Sequence, residues 1–168
     1  MLIGLLSDTH DHIQNIRLVL NYFRQNRIYR IIHCGDLSST EAAREFGGFQ
    51  VVYLQGNMDV DSLGIRRTLV ELNPSNSVLP LFSNEIDGIS IAAVHGNIPG
   101  MIHQLASTNK YDLIFHGHTH RRRDEIIFST RVINPGALGG LSVESRSFCV
   151  VDLEKKDVRF IELSNLEQ

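Results

Sequence analysis

The sequence predicts an α/β protein folded as a single domain over residues 1–168. Three observations carry that reading. The chain up to Asn57 alternates short apolar runs with amphipathic stretches, which implies parallel strands joined by right-handed crossovers. The part after His120 is rich in short strand-like runs. Several of the apolar runs end directly on short polar motifs, as strand ends do in open α/β sheets.

The elements follow in order. Leu2 to Leu6 is an apolar run of strand length. Asp11 and Gln14 have the spacing of a capping box, and Ile13, Ile16, Leu20 and Phe23 follow at helical spacing. Arg30 to His33 is a second strand. Ser38 and Glu41 repeat the capping-box pattern, and Gly47-Gly48 stops that helix. Phe49 to Leu54 is the third strand. Val78 to Ile86 and Ile89 to Val94 flank Asp87-Gly88, a hairpin signal. Met101 to Ala106 has weaker helical spacing, and Asp112 to Phe115 is a buried strand. Glu125 to Phe128, Arg131 to Ile133, Phe148 to Leu153 and Val158 to Leu163 complete the strands. Thr68 to Ser77, with Asn73-Pro74, reads as an exposed loop.

Composition narrows the function. A formal charge of −3 leaves no basic footprint for duplex nucleic acid. No apolar run approaches the ~18 residues of a membrane span. The first residues lack the basic flank and length of a secretory signal. Two cysteines, Cys34 and Cys149, are too few for a disulfide framework. The expectation is a cytoplasmic protein without a membrane partner.

Five motifs carry the chemistry: Asp8-Thr9-His10, Gly35-Asp36, Gly56-Asn57, His95-Gly96 and Gly117-His118-Thr119-His120. Each is weak alone. Asp8 could cap a helix, Gly-Asp and Gly-Asn are common turns, and His95 could be a packed strand-end histidine. Together they offer carboxylate, amide and imidazole donors, a set suited to hard or borderline divalent metals. That is too many ligands for one tetrahedral ion and about enough for two. His33 and His116 read as packed or supporting groups, and Cys34 as a core residue. His12, Asp59, Asn97 and the Arg121-Arg122-Arg123 stretch would lie around the rim, where His12, Asp59, Arg121 and Arg122 are candidates to contact substrate.

The ordered set resembles the calcineurin-like metallophosphoesterase superfamily, and its compact YfcE-type phosphodiesterase branch in particular. Ser7-Asp8-Thr9-His10-Asp11-His12, His33-Cys34-Gly35-Asp36, Gly56-Asn57-Met58-Asp59 and Asn134-Pro135-Gly136 all read like that branch. The resemblance implies two facing mixed β-sheets flanked by helices. It implies that Asp8, His10 and His120 hold one divalent ion, that Asn57, His95 and His118 hold another, and that Asp36 bridges them. Asp36, Asn57, His95 and His118 would be the catalytic residues, acting with a metal-bridging hydroxide that attacks a phosphate diester in line. Manganese is the implied ion, and nickel, iron, cobalt or zinc also suits the donors. The partner would be a small phosphodiester substrate, with a homo-oligomer compatible by analogy. Many relatives carry a histidine directly after the motif asparagine, thought to protonate the leaving group. This chain has Met58 there, which cannot donate a proton. A phosphomonoesterase or nucleotide pyrophosphatase is the alternative within enzymes. A non-catalytic scaffold, like the retromer subunit of this fold, is the alternative outside them.

Overall fold

The computed structural model describes residues 1–141 and 144–166. The first half runs β1 (Leu2–Leu6), α1 (Ile13–Gln25), β2 (Arg30–His33), α2 (Thr40–Arg44), β3 (Gln50–Leu54), α3 (Ser62–Leu72) and β4 (Ser77–Leu79). The second runs β5 (Leu81–Ile86), β6 (Ile89–Val94), α4 (Met101–Ser107), β7 (Leu113–Phe115), β8 (Arg122–Ile127), β9 (Thr130–Pro135), β10 (Ser147–Asp152) and β11 (Asp157–Glu162).

The strands form two mixed sheets. One has the order β11-β10-β1-β2-β3-β4, the other β5-β6-β7-β9-β8. Within the first, β1 to β4 are parallel, and β10 and β11 add antiparallel at one side. Within the second, β6, β7 and β9 are parallel between antiparallel edges.

Strand alternation explains why the sheets face each other. In β1, Ile3 and Leu5 point into the same core as Ile91, Ala93 and Phe115 of the second sheet, while Leu6 joins Ile16, Leu20 and Phe23 of α1. In β3, Val51 and Tyr53 face the helices, whereas Leu54 faces the other sheet. Ala92 and Ile114 turn away from the inter-sheet core onto Ala106 of α4. Central strands are thus buried on both faces and read as continuous apolar runs rather than alternating ones. The layers are helices, sheet, sheet and helix. No helix among the described residues is long and apolar enough to cross a membrane.

Several local expectations are corrected. Asp11 does not cap α1. The cap position is His12, and the Asp11 carboxylate instead accepts the Ser39 backbone N–H at 3.0 Å. The cap of α2 is Ser39 rather than Ser38, its hydroxyl accepting the Ala42 N–H at 3.2 Å. The expected loop from Thr68 is helix as far as Leu72. Helix α3 was hidden by Gly64 and by apolar residues, Leu63 and Val70, that stay exposed. It is started by Asp61, whose carboxylate accepts the Gly64 N–H at 2.9 Å. The single run Val78 to Ile86 breaks at Pro80, which has no N–H to give a ladder, and its halves join different sheets. Strand β8 starts at Arg122, so two of the three consecutive arginines lie in an edge strand opposite Pro135 and Asn134.

Candidate metal centre

The five motifs sit where parallel strands place ligands. Asp8, Asp36 and Asn57 follow the carboxyl ends of β1, β2 and β3, and His95 and His118 follow β6 and β7. The loops are stitched together through their backbones. Asp8 N–H donates to the Gly35 carbonyl and His10 N–H to the Asp36 carbonyl, both at 2.9 Å. Gly117 N–H donates to the His95 carbonyl at 2.9 Å, and Gly139 N–H to the Asp8 carbonyl at 2.8 Å.

The side chains then converge. His10 Nε2 and His120 Nε2 lie 3.1 Å apart, and His120 Nε2 is 3.3 Å from Asp8 Oδ1. Asp36 Oδ2 stands between the two groups, 3.7 Å from His10 Nε2 and 3.5 Å from His95 Nε2. His95 Nε2 is 2.9 Å from the side-chain oxygen of Asn57. The His118 ring packs edge-on against that of His95, with centroids 5.1 Å apart. All seven residues expected to hold metal are brought together.

The donor set fits metal ions. Ligands ~2.1 Å from a common ion at tetrahedral or octahedral angles lie ~3.0–3.4 Å from one another. The spacings above cluster around those values. Asp8 is completely buried, and its Oδ2 accepts the Ser7 hydroxyl at 2.6 Å and the His118 N–H at 2.9 Å. Among the described residues its Oδ1 has no well-formed hydrogen bond, only His120 Nε2 at 3.3 Å, an arrangement that favours a cation against it. Burial pushes the Asp8 carboxyl up, but His120, Ser7 and the charge of His95 outweigh it, holding the group below the usual carboxylate range. The imidazoles are oriented for the same purpose. His95 Nδ1 donates to the Cys34 carbonyl at 2.7 Å, which leaves the Nε2 lone pair facing Asp36 and Asn57.

Backbone conformation is the feature that sequence reasoning missed. Asp8, His10, Asp36, His118 and His120 all have φ between +43° and +67°. Such residues cost roughly 1 kcal/mol or more each and gather at functional sites. Asp, Asn and His tolerate the left-handed region better than other side chains, and these ligand types match that demand. Gly56 and Gly117 serve close approach instead. A Cβ on Gly56 would overlap the Asp36 carboxylate, and one on Gly117 would overlap the Ser7 hydroxyl. Gly140 runs past the His10 and His120 rings, a contact with no signal in the sequence beyond its two glycines.

The rim residues divide. Asp59 receives the Tyr53 hydroxyl at 2.6 Å, the Gly56 N–H at 2.8 Å and the Leu37 N–H at 3.1 Å. Burial, then the Asp59 charge, push the Tyr53 phenol well above its ordinary value, so it remains a donor. Asp59 therefore fastens the Asn57 loop rather than presenting a free carboxylate. Arg122 is turned to Glu162, 2.7 Å away, and Arg123 pairs with Glu125. Arg121 and His12 are exposed, and among the described residues neither has an ion pair or side-chain hydrogen bond. Asn134, quoted above only for its motif, donates to the Gly117 carbonyl at 2.8 Å and the Thr119 hydroxyl at 3.1 Å, bracing the His118 loop.

Residues 1–156 match the calcineurin-like phosphoesterase superfamily domain. The chain belongs to that superfamily. It is 33% identical to phosphodiesterase MJ0936 of Methanocaldococcus jannaschii over 165 residues, covering 97% of this chain and 99% of the relative. A solved structure described as a novel archaeal phosphodiesterase superposes with a TM-score of 0.92 at 32% identity, over 96% of this chain and 99% of that one. The E. coli phosphoesterase YfcE shares the fold, with a TM-score of 0.70 at 15% identity over 97% of this chain and all of YfcE. The two mixed sheets flanked by helices are thus the metallophosphoesterase arrangement, and the chain is an enzyme of a metal-dependent phosphoesterase family.

Proposed function

We propose that this phosphoesterase is a dinuclear phosphodiesterase acting on small phosphate diesters in the cytoplasm. The observation that carries the reading is the buried donor set that closes around Asp36, with Asp8 Oδ1 left unsatisfied at its centre. The curated relative and the solved structure described as phosphodiesterases, each about one-third identical over nearly the whole chain, support the diester substrate. In this reading Asp8, His10 and His120 hold one divalent ion, Asn57, His95 and His118 hold a second, and Asp36 joins them. Manganese is the ion proposed, on the family resemblance.

Such ions supply positive charge for the phosphate oxygens and acidify water near neutral pH. The chain's own residues do the rest. Neutral imidazoles bind without cancelling charge, so only Asp8 and Asp36 offset it and the cleft stays attractive to phosphate. Asp36, whose Oδ1 accepts the Met58 N–H at 2.9 Å, is held rigidly while charge develops in front of it. Asn57, His95 and His118 fix the opposite wall. Arg121 and His12 are the rim groups free to meet the substrate's outer oxygens.

Met58 sits beside this centre, half-exposed, with a side chain that has no proton to give. Diesters with good leaving groups are favoured accordingly. Met58→His is expected to raise monoester turnover relative to diester turnover by about tenfold, within the usual worth of a positioned acid. An unchanged ratio on p-nitrophenyl phosphate and its bis-ester would show that leaving-group protonation is not what position 58 controls.

The functional reading is tested by stripping metal with a chelator and assaying bis-p-nitrophenyl phosphate with and without manganese. Turnover is expected only with the metal. A preference for the monoester of more than about tenfold, ~1.4 kcal/mol in the transition state, would move the protein to the phosphomonoesterases. No turnover with any divalent ion would remove the hydrolytic reading.

A further inference from the structure

Beneath the metal centre lies a buried polar chain that none of the catalytic roles uses. It starts at the Gly35 backbone N–H, which donates to His33 Nδ1 at 3.1 Å. That bond fixes the tautomer. Burial depresses the His33 pKa to about 3, so the ring is neutral, Nδ1 is the acceptor and the proton sits on Nε2. Nε2 lies 3.1 Å from the Thr9 hydroxyl and donates to it. The hydroxyl in turn donates to the Asp36 backbone carbonyl at 3.2 Å. The chain of bonds begins on Gly35 and ends on Asp36, so it grips one dipeptide from both sides.

That dipeptide has two consecutive residues at positive φ. Gly35 has φ of +97° and Asp36 of +60°, and the Asp36 carbonyl also receives the His10 N–H. Thr9 lies between Asp8 and His10, so its hydroxyl ties the first ligand loop to the second. His33 and Thr9 are both fully buried, and the His33 ring is held between Phe46 and Tyr53, with centroids 5.7 Å and 5.0 Å away. A packed histidine filling space would need no particular tautomer, and a buried threonine hydroxyl would need only one partner.

We infer that Thr9 and His33 are positioning residues that set the direction of the Asp36 carboxylate by locking the Gly35-Asp36 turn. They touch neither ion nor substrate and act through the backbone of the bridging ligand. The inference rests on Asp36 being a metal ligand.

The test is manganese titration of metal-free protein by calorimetry, with thermal unfolding of the metal-free form measured alongside. Thr9→Val keeps the shape and removes the hydroxyl, whereas Thr9→Ser keeps the hydroxyl. Partners of ligands are commonly worth 10–100-fold in affinity, so Thr9→Val should lose about tenfold or more and Thr9→Ser less than about twofold. His33→Asn retains an acceptor for Gly35 but no donor that reaches Thr9. It should match Thr9→Val, and the double variant should lose no more than either single one. Equal manganese binding by Thr9→Val and Thr9→Ser would overturn the inference, as would losses that multiply in the double variant. Wild-type protein that binds no manganese would instead overturn the metal reading itself.

Discussion

Replacing Asp36 with asparagine is expected to lower manganese content at both proposed metal positions and to cut diester turnover by about a thousandfold. That fall corresponds to ~4 kcal/mol of transition-state stabilisation, in the range a metal ion supplies. The substitution is nearly isosteric, and its side-chain oxygen can still accept the Met58 N–H that Asp36 Oδ1 accepts at 2.9 Å. Fold and loop geometry should therefore survive. What disappears is the charge on Oδ2, which lies within 4 Å of both His10 and His95. Replacing an ordinary ligand would weaken one ion, whereas replacing a shared one weakens two. Elemental analysis of the purified variant after dialysis against limiting manganese reads this directly. Stoichiometry equal to wild type would mean that Asp36 does not join the two ions.

Gly139→Ala should be a severely damaging single methyl. A Cβ there would overlap the carbonyl of Thr9, which is backbone and cannot swing aside, and would press on the Cβ of His10. Gly139 also donates its N–H to the Asp8 carbonyl, so the displaced loop is the one that carries the first two ligands. Overpacking of this kind costs ~1–3 kcal/mol, and here it should also abolish tight manganese binding. Gly48→Ala is the control. Gly48 has φ of +86° but nothing within 4 Å of its Cβ position, so the strain is conformational alone. Its expected cost is ~1 kcal/mol or more with metal affinity unchanged. Comparable manganese affinity in the two variants would show that the 137–141 segment does not shape the site.

Much of this site was legible in the sequence because its chemistry lies in residue types that strand ends display together. Asp8, Asp36, Asn57, His95 and His118 each follow an apolar run, and parallel sheets aim such positions at one place. The alternation through β3 was legible for the same reason. Less was readable where tertiary contact decides. Helix α3 keeps Leu63 and Val70 exposed and holds a glycine, so its pattern is blurred. Pro80 split one apolar run between two sheets, an outcome set by where each half could pair. The fates of Asp59 and Arg122 depended on Tyr53 and Glu162, partners that no local pattern names. The left-handed ligands were invisible because Asp and His give no more than a weak preference for that region.

The division of the site between the two sheets has a mechanical consequence. The sheets share no hydrogen-bonded strand pair among the described residues. Apart from the chain crossings, they are held by the apolar contact between them, which is strong but has no direction, and by a few polar ties such as His95 to the Cys34 carbonyl, the His118 N–H to Asp8 and Arg122 to Glu162. Sliding of one face across the other would be resisted by side-chain interlock and by those few polar ties. Asp8, Asp36 and Asn57 ride on one sheet, and His95, His118 and His120 on the other. An ion gripped by both, as proposed, would act as a further rivet through the sandwich, tightening the register that these contacts set. At a hundred times its dissociation constant such a rivet adds ~2.7 kcal/mol to the folded state. The same atoms that would confer catalysis would therefore also set the shear strength of the fold.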